Sequence, residues 1–244
     1  MSHFFLDAEN WAGDSSLVLR GEEARHCVQV RRHRVGDEIS VLNGKGQRAI
    51  ARIDHIEKDA VSVSVQALHD TQAPATPVTL LQAIPKGDGM EWIIEKAVEL
   101  GVATIVPIIS ERTIVRLDAD DSAKKRSRWQ KAAIEACKQC GQPWLPAVTA
   151  PCSTKDALKK LSDTPTKLIA SLEPDARPLH EQLQRSAGPC AIAIGPEGDF
   201  SPAEYALFRS DGWLPLQLGP LTLRCETAAI VAVSTLSYHL SLPR

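Results

Sequence analysis

The sequence has no apolar run near the roughly 20 residues that a bilayer-spanning helix needs. Its first ten residues, Met1-Ser-His-Phe-Phe-Leu-Asp-Ala-Glu-Asn10, contain neither a charged leading region nor a long apolar stretch, which argues against a secretory signal. Both absences predict a cytoplasmic protein with no membrane partner. The six cysteines, Cys27, Cys137, Cys140, Cys152, Cys190 and Cys225, show no disulfide-framework spacing, so free thiols are expected. Cys137-Lys-Gln-Cys140 is a lone CxxC inside a helical pattern. No second CxxC and no His pair at ligand spacing accompanies it, so it reads as ordinary helix thiols and no metal is expected. A P-loop is missing, as is a GxGxxG dinucleotide fingerprint. There is no excess of positive charge. The net charge is −2, and neither the first 70 residues nor the remainder is basic. That counts against gripping long naked nucleic acid by charge alone and leaves room for local patches. No internal repeat or low-complexity tract is present.

What is there suits a folded protein. The 244 residues accommodate one large domain or two modest ones, and 43% are hydrophobic, enough for a real core. The first 70 residues are β-rich. Asp37 to Leu42 and Ala49 to Asp54 alternate like strands, with turn chemistry at Asn43-Gly44 and Gly46 between them. Ala60 to Val65 alternates with period two, and short strands at this spacing predict a small barrel. Glu22 to Val30 reads as one short helix. Residues 71–77 have the polar, proline-rich composition of a linker.

From residue 78 onward strands and helices alternate. Strands are predicted at Val78–Ile84, Ala103–Ile109, Lys167–Leu172, Ala191–Ile194 and near Leu216. Helices are predicted at Glu91–Leu100, Ser122–Cys140, Leu179–Arg185 and Glu226–Leu240, and Ser201-Pro-Ala-Glu204 has the composition of a helix start. The fold class expected is α/β, a mainly parallel sheet with helices on both faces.

Two segments carry the chemistry. Cys190–Ile194 runs into Gly195-Pro-Glu-Gly198, and Leu214–Leu218 runs into Gly219-Pro220, each followed by a helix. Loops at the carboxyl ends of strands are where open α/β sheets hold ligands. Glycine there lets backbone approach a ligand, and proline stiffens the loop. Glu197 reads either as an exposed carboxylate at a helix entrance or as a ligand-hydroxyl acceptor or general base. Arg224 lies in an apolar stretch and reads either as one half of an ion pair with Glu226 or as a substrate contact. Arg112 follows a strand and shares that edge of the sheet. Lys124 to Lys131, which includes Arg128 and an embedded Trp129, is either a solvated helix face or a phosphate grip. Arg31-Arg-His-Arg34 has the same two readings.

These residues carry a resemblance. Across almost the whole length, the chain resembles the bacterial ribosomal RNA small subunit methyltransferase E family, within the SPOUT superfamily. The resemblance rests on Phe4-Phe5, His26…Val30-Arg31 and Val35-Gly-Asp37. It continues through Gln82-Ala-Ile-Pro-Lys-Gly-Asp88, Trp92–Val102, Ser110-Glu-Arg112, Trp129-Gln130, Glu135–Gln139, Ile194–Gly198 and Leu218–Ala228. It implies a PUA-like barrel over residues 1–70, an RNA-binding domain, and a methyltransferase domain over 78–244 containing a trefoil knot. It also implies a homodimer, S-adenosylmethionine as methyl donor, and methylation of N3 of a uridine in 16S ribosomal RNA within the small subunit.

On this resemblance Arg224, Glu226 and Arg112 are the candidate catalytic residues. Leu172, Gly195, Pro196, Glu197, Gly198, Leu218, Gly219, Leu223 and Thr227 are the candidate cofactor contacts. Arg31, Arg32, Lys86 and Arg128 are the candidate RNA contacts. The chain departs from the family pattern at Asp199, usually glycine, at Cys225, usually threonine, and at Gln142, usually arginine. It also lacks a leucine between Val30 and Arg31. A ribose 2′-O methyltransferase of the same superfamily and a non-catalytic RNA-binding assembly factor are the alternative readings.

Overall fold

The computed structural model describes residues 1–11, 15–115, 117–178, 181–182 and 188–241. The chain divides into two compact units. The first takes Met1–Ala73 together with Ile134–Leu145, and the second takes Pro74–Ala133 and Pro146–Arg244.

The first unit is built on β1 (His3–Phe5), β2 (Ser16–Arg20), β3 (Glu38–Leu42), β4 (Gln47–Ile56) and β5 (Ala60–Asp70), in the order β1-β3-β4-β5-β2. All neighbours are antiparallel except β1 and β3. Period-two alternation puts Leu17, Leu19, Ile39, Val41, Ile53 and Val61 into one fully buried cluster. The β4–β5 pairing shifts register at Ile50/Ala51 and Ile53/His55, irregularities of the kind that bend a sheet. The helix expected over Glu22 to Val30 is α1 (Gly21–Arg25) running into a wider π-helical turn, His26–Val30. The strands β1 and β2 were not legible in the sequence, being short and flanked by polar residues.

The segment Ile134–Leu145 is fastened to this sheet by several bonds. Trp144 Nε1 donates to the Thr71 carbonyl, Gly46 N to the Pro143 carbonyl and Leu145 N to the Gly44 carbonyl. At Gly46 (φ +94°) a Cβ would stand 2.5 Å from the Trp144 ring, so only glycine allows this approach. Lys138 is buried, with its ammonium 2.6 Å from Glu23 and 2.8 Å from Glu135. Glu23 in turn accepts from Phe5 N.

The second unit is a parallel sheet. Its strands are β6 (Val78–Ala83), β7 (Thr104–Ile109), β8 (Ala147–Val148), β9 (Cys152–Ser153), β10 (Thr166–Ala170), β11 (Arg177–Pro178), β12 (Cys190–Ile194) and β13 (Leu214–Gln217). The order is β11-β13-β10-β12-β6-β7-β8, with β9 also on β7. The helices are α2 (Gly89–Glu99), α3 (Ala119–Cys140, which from Ile134 onward belongs to the first unit), α4 (Thr154–Lys160), α5 (Pro202–Ser210) and α6 (Cys225–Ser241). On one face Leu81, Val106, Ile169 and Ala193 pack with Leu158 of α4, Phe208 of α5 and Phe200 in the loop before α5. Leu80, Ile105, Leu168 and Ile192 alternate to the other face, where α6 contacts β6, β12 and α2. The sheet is therefore covered on both faces, as near-continuous apolar strands such as Leu80-Leu81 and Ala191-Ile-Ala-Ile194 require.

The helix start at Ser201 is a complete capping box. Ser201 Oγ accepts from Glu204 N, the Glu204 carboxylate accepts from Ser201 N, and Pro202 opens the helix. Glu204 is 2% exposed, and its Oε1 also accepts from the Thr154 hydroxyl at 2.6 Å and Glu111 N at 3.2 Å. It thereby joins α5, α4 and the loop after β7. The helix α4 was not foreseen; its opening Ser153-Thr-Lys-Asp156 is a cap, with Ser153 accepting from Asp156 N. The expected helix over Leu179–Arg185 lies almost wholly outside the described residues. Among the described residues no helix is long and apolar enough to cross a membrane, and no group of three or more His, Cys, Asp or Glu could hold a metal ion.

Candidate functional site

The carboxyl ends of β10, β12 and β13 open onto a cavity of about 780 Å³. That size suits a small-molecule ligand. Three loops build it. The first follows β10 and gives Ser171, Leu172 and Glu173; the second follows β12 and gives Gly195, Pro196 and Glu197; the third follows β13 and gives Leu218 to Arg224. Loops after adjacent parallel strands converge because every strand points the same way. The sequence signalled the second and third through Gly-Pro. The first carries no such signal, so nothing local in the sequence points to Ser171 or Glu173.

Of the residues expected at the cofactor, Leu172, Gly195, Pro196, Glu197, Leu218, Gly219 and Leu223 line the cavity, whereas Gly198 and Thr227 do not. Gly195 is closely bounded. A Cβ there would stand 3.1 Å from Asp199 Oδ1 and 3.3 Å from Phe200 Cδ2. Asp199, also in the lining, has φ +60°, a left-handed conformation that Asp tolerates better than most residues. Its carboxylate accepts from Phe200 N at 2.8 Å and from the Tyr205 hydroxyl at 2.9 and 3.0 Å. Burial pushes the Tyr205 hydroxyl well above its ordinary range, so it remains a donor.

Arg224 and Glu226 both line the cavity, but they form no ion pair among the described residues. Residues two apart at a helix start do not face one another. Glu226 instead accepts from the Cys225 thiol at 3.3 Å, and its Oε1 lies 3.0 Å from where a Cβ on Gly89 would stand, at the opening of α2. Burial, then that bond to Glu226, pushes the Cys225 thiol up to about 12, so it stays protonated and inert. Beside the cavity, Lys86 N donates to Glu197 Oε1 at 2.9 Å, and Arg112 donates through NH1 to the Gly198 carbonyl at 2.7 Å. The Arg112 guanidinium and the Lys86 backbone are thus fixed to the loop after β12, and both side chains are exposed.

The remaining basic residues are elsewhere. Arg128 pairs with Glu91 at 2.6 Å and Asp88 at 3.5 Å, at the start of α2. Trp129 is buried, with Lys125 5.8 Å from its ring centre. The basic run is therefore one helix face whose tryptophan belongs to the core. Arg31 and Arg32 are exposed in the first unit, after the π-helical turn, and Arg32 has φ +59°. Cys137 of the CxxC is a buried helix thiol, pushed up by burial to about 12.

Residues 71–237 match a family model described as an RNA methyltransferase domain, and residues 19–66 match one described as an RNA methyltransferase PUA domain. Over 237 residues the chain is 31% identical to ribosomal RNA small subunit methyltransferase E of Bacillus subtilis, covering 94% of this chain and 92% of the relative. The chain belongs to the ribosomal RNA small subunit methyltransferase E family. A family member from Neisseria gonorrhoeae, solved bound to S-adenosyl methionine, superposes with a TM-score of 0.88 at 33% identity, over 97% of this chain and 96% of that one. A methyltransferase from Legionella pneumophila, in complex with the bound cofactor SAM, gives 0.89 at 33% identity, over 98% and 97%. The first unit carries the PUA domain of this family, and the α/β unit carries its methyltransferase domain.

Proposed function

We propose that this protein transfers a methyl group from S-adenosylmethionine to N3 of a uridine in 16S ribosomal RNA of the small subunit. The observation that carries the reading is the cavity at the ends of β10, β12 and β13, in a chain similar almost end to end to a family member solved with S-adenosyl methionine. The residues present fit that donor. Leu172, Leu218 and Leu223 offer apolar contact, backbone at Gly195 and Gly219 offers close approach, and carboxylates face a ligand that carries positive charge. When bound, the donor supplies an electrophilic methyl group.

The chain's own residues then have three tasks. Holding the uracil in line with the methyl contributes much of the rate by orientation. The N3 proton must leave, because neutral N3 is a poor nucleophile; Glu226 and Glu197 are the carboxylates suited to orienting the base or taking that proton. Negative charge then develops on the uracil oxygens, and Arg224, with Arg112 beside the cavity, is suited to stabilise it. Arg31, Arg32, Lys86 and Arg128 are assigned to RNA phosphates, with residues 1–70 as the RNA-binding domain, 71–77 as linker and 78–244 as the catalytic domain. A trefoil knot, a homodimer and a cytoplasmic location complete the reading. Light scattering at assay concentration should give twice the chain mass; a fully active monomer would reject the dimer.

The test is incubation with labelled donor and small subunits from a strain lacking this methylation. N3-methyluridine is the expected product on nucleoside analysis. Ribose-methylated nucleoside would assign the 2′-O chemistry instead, and tight subunit binding with no donor binding would assign an assembly factor.

A further inference from the structure

The cavity is lined by four carboxylates, Glu173, Glu197, Asp199 and Glu226, against one cation, Arg224. The four are not equivalent: Glu226 accepts from the Cys225 thiol and is a carboxylate proposed above to serve the uracil. Glu173 has an arginine nearby, Arg209 at 3.8 Å. Glu197 is exposed, and its carboxylate is occupied by Lys86 N. Asp199 is half-buried, and its carboxylate is pinned by two neutral donors, the Tyr205 hydroxyl and Phe200 N. Among the described residues no lysine or arginine pairs with it. Tyr205 is itself 3% exposed, so the pin belongs to the packed core and not to solvent. The absence of a side chain at Gly195 leaves room for this carboxylate at the cavity wall. A fixed negative charge with no protein counter-ion therefore stands in the ligand cavity.

We infer that the Asp199 carboxylate is the counter-charge by which this cavity prefers the sulfonium donor to the neutral thioether left after transfer. The inference rests on the donor reading given above. Methyl transfer breaks the sulfur–methyl bond and leaves its electron pair on sulfur. The donor's sulfonium charge is then gone, and the N3 proton leaves separately. Donor and product share the adenine, the ribose hydroxyls and the amino-acid group. A residue that reads any of these binds both alike; only one that reads the sulfonium charge separates them. A fixed carboxylate in a partly desolvated cavity does so, since Coulomb attraction there is screened less than on open surface.

The experiment is calorimetric titration of the full chain with S-adenosylmethionine and with S-adenosylhomocysteine, for the wild type and Asp199→Asn. The variant should bind the donor roughly three- to tenfold more weakly and the product as before. Retained product binding also reports an intact cavity. Asp199→Gly, compatible with φ +60°, is the second variant and should shift the donor-to-product ratio in the same sense. Rising salt should shrink the wild-type preference more than that of the variant. An equal loss for both ligands would assign Asp199 to a group they share and overturn the inference, as would no loss for either. Wild-type protein that binds neither ligand would overturn the donor reading itself, and this inference with it.

Discussion

At Gly195 the available space decides the outcome. A Cβ meets the Asp199 carboxylate and the Phe200 ring at just over 3 Å, and neither can retreat, because Tyr205 holds one and the core holds the other. Gly195→Val should therefore lose at least about tenfold in donor affinity, since displaced backbone is felt directly in a preorganised site, while circular dichroism stays that of the wild type. Unchanged affinity in titration would refute the assignment of Gly195 to the pocket. With no ion pair to Glu226 in place, the Arg224 guanidinium is not engaged in bracing the loop through that carboxylate. Arg224→Lys keeps the charge and loses the planar fork. If the fork serves the developing oxyanion, single-turnover methylation at saturating donor and subunit should fall about 10²–10³-fold, with the melting temperature unchanged. A near wild-type rate would remove the catalytic role.

Among elements, α5 depends on one buried carboxylate. Glu204 closes its own helix cap and also accepts from Thr154 in α4 and from the backbone of Glu111, next to Arg112. Glu204→Ala would leave those donors unpaired in a dry site and should cost about 3 kcal/mol in urea unfolding. Ser201→Ala removes only the cap and should cost about 1 kcal/mol. Equal losses would mean that the contacts beyond the cap contribute nothing. The cap itself was legible, because Ser-Pro-x-Glu is a local signal. Its wider partnership was not, because Thr154 and Glu111 reach Glu204 only through the sheet. The same division runs through the site. The loops after β12 and β13 announce themselves with Gly-Pro. Ser171 and Glu173, after β10, became visible only once β10 was seen between β12 and β13, and an order of strands is a long-range property. Within the first unit the strands β3, β4 and β5 were legible from alternation and the turn residues between them, whereas β2, which alternates over Ser16–Arg20, was missed. So was β1, where only three residues pair.

For the whole molecule, the two units divide the proposed labour. Arg31 and Arg32 belong to the first unit and the cavity to the second. Substituting both arginines with alanine should weaken binding to small subunits and flatten its dependence on salt, because fewer counterions are released. Donor affinity in titration should stay fixed. Loss of donor binding with RNA binding preserved would reverse the assignment. The first unit is also interrupted in sequence: its last piece, Ile134–Leu145, follows sixty residues of the second. Trp144 over Gly46 and Lys138 against Glu23 are among the contacts that fasten it. Synthesis runs from the N-terminus, so a nascent chain that has released only residues 1–73 has neither the tryptophan nor the lysine. This unit cannot finish maturing when its own strands emerge. It must wait, with Glu23 and the Gly46 turn unmet, until the first sixty residues of the second unit have left the ribosome, which links the birth of the first unit to that of the second.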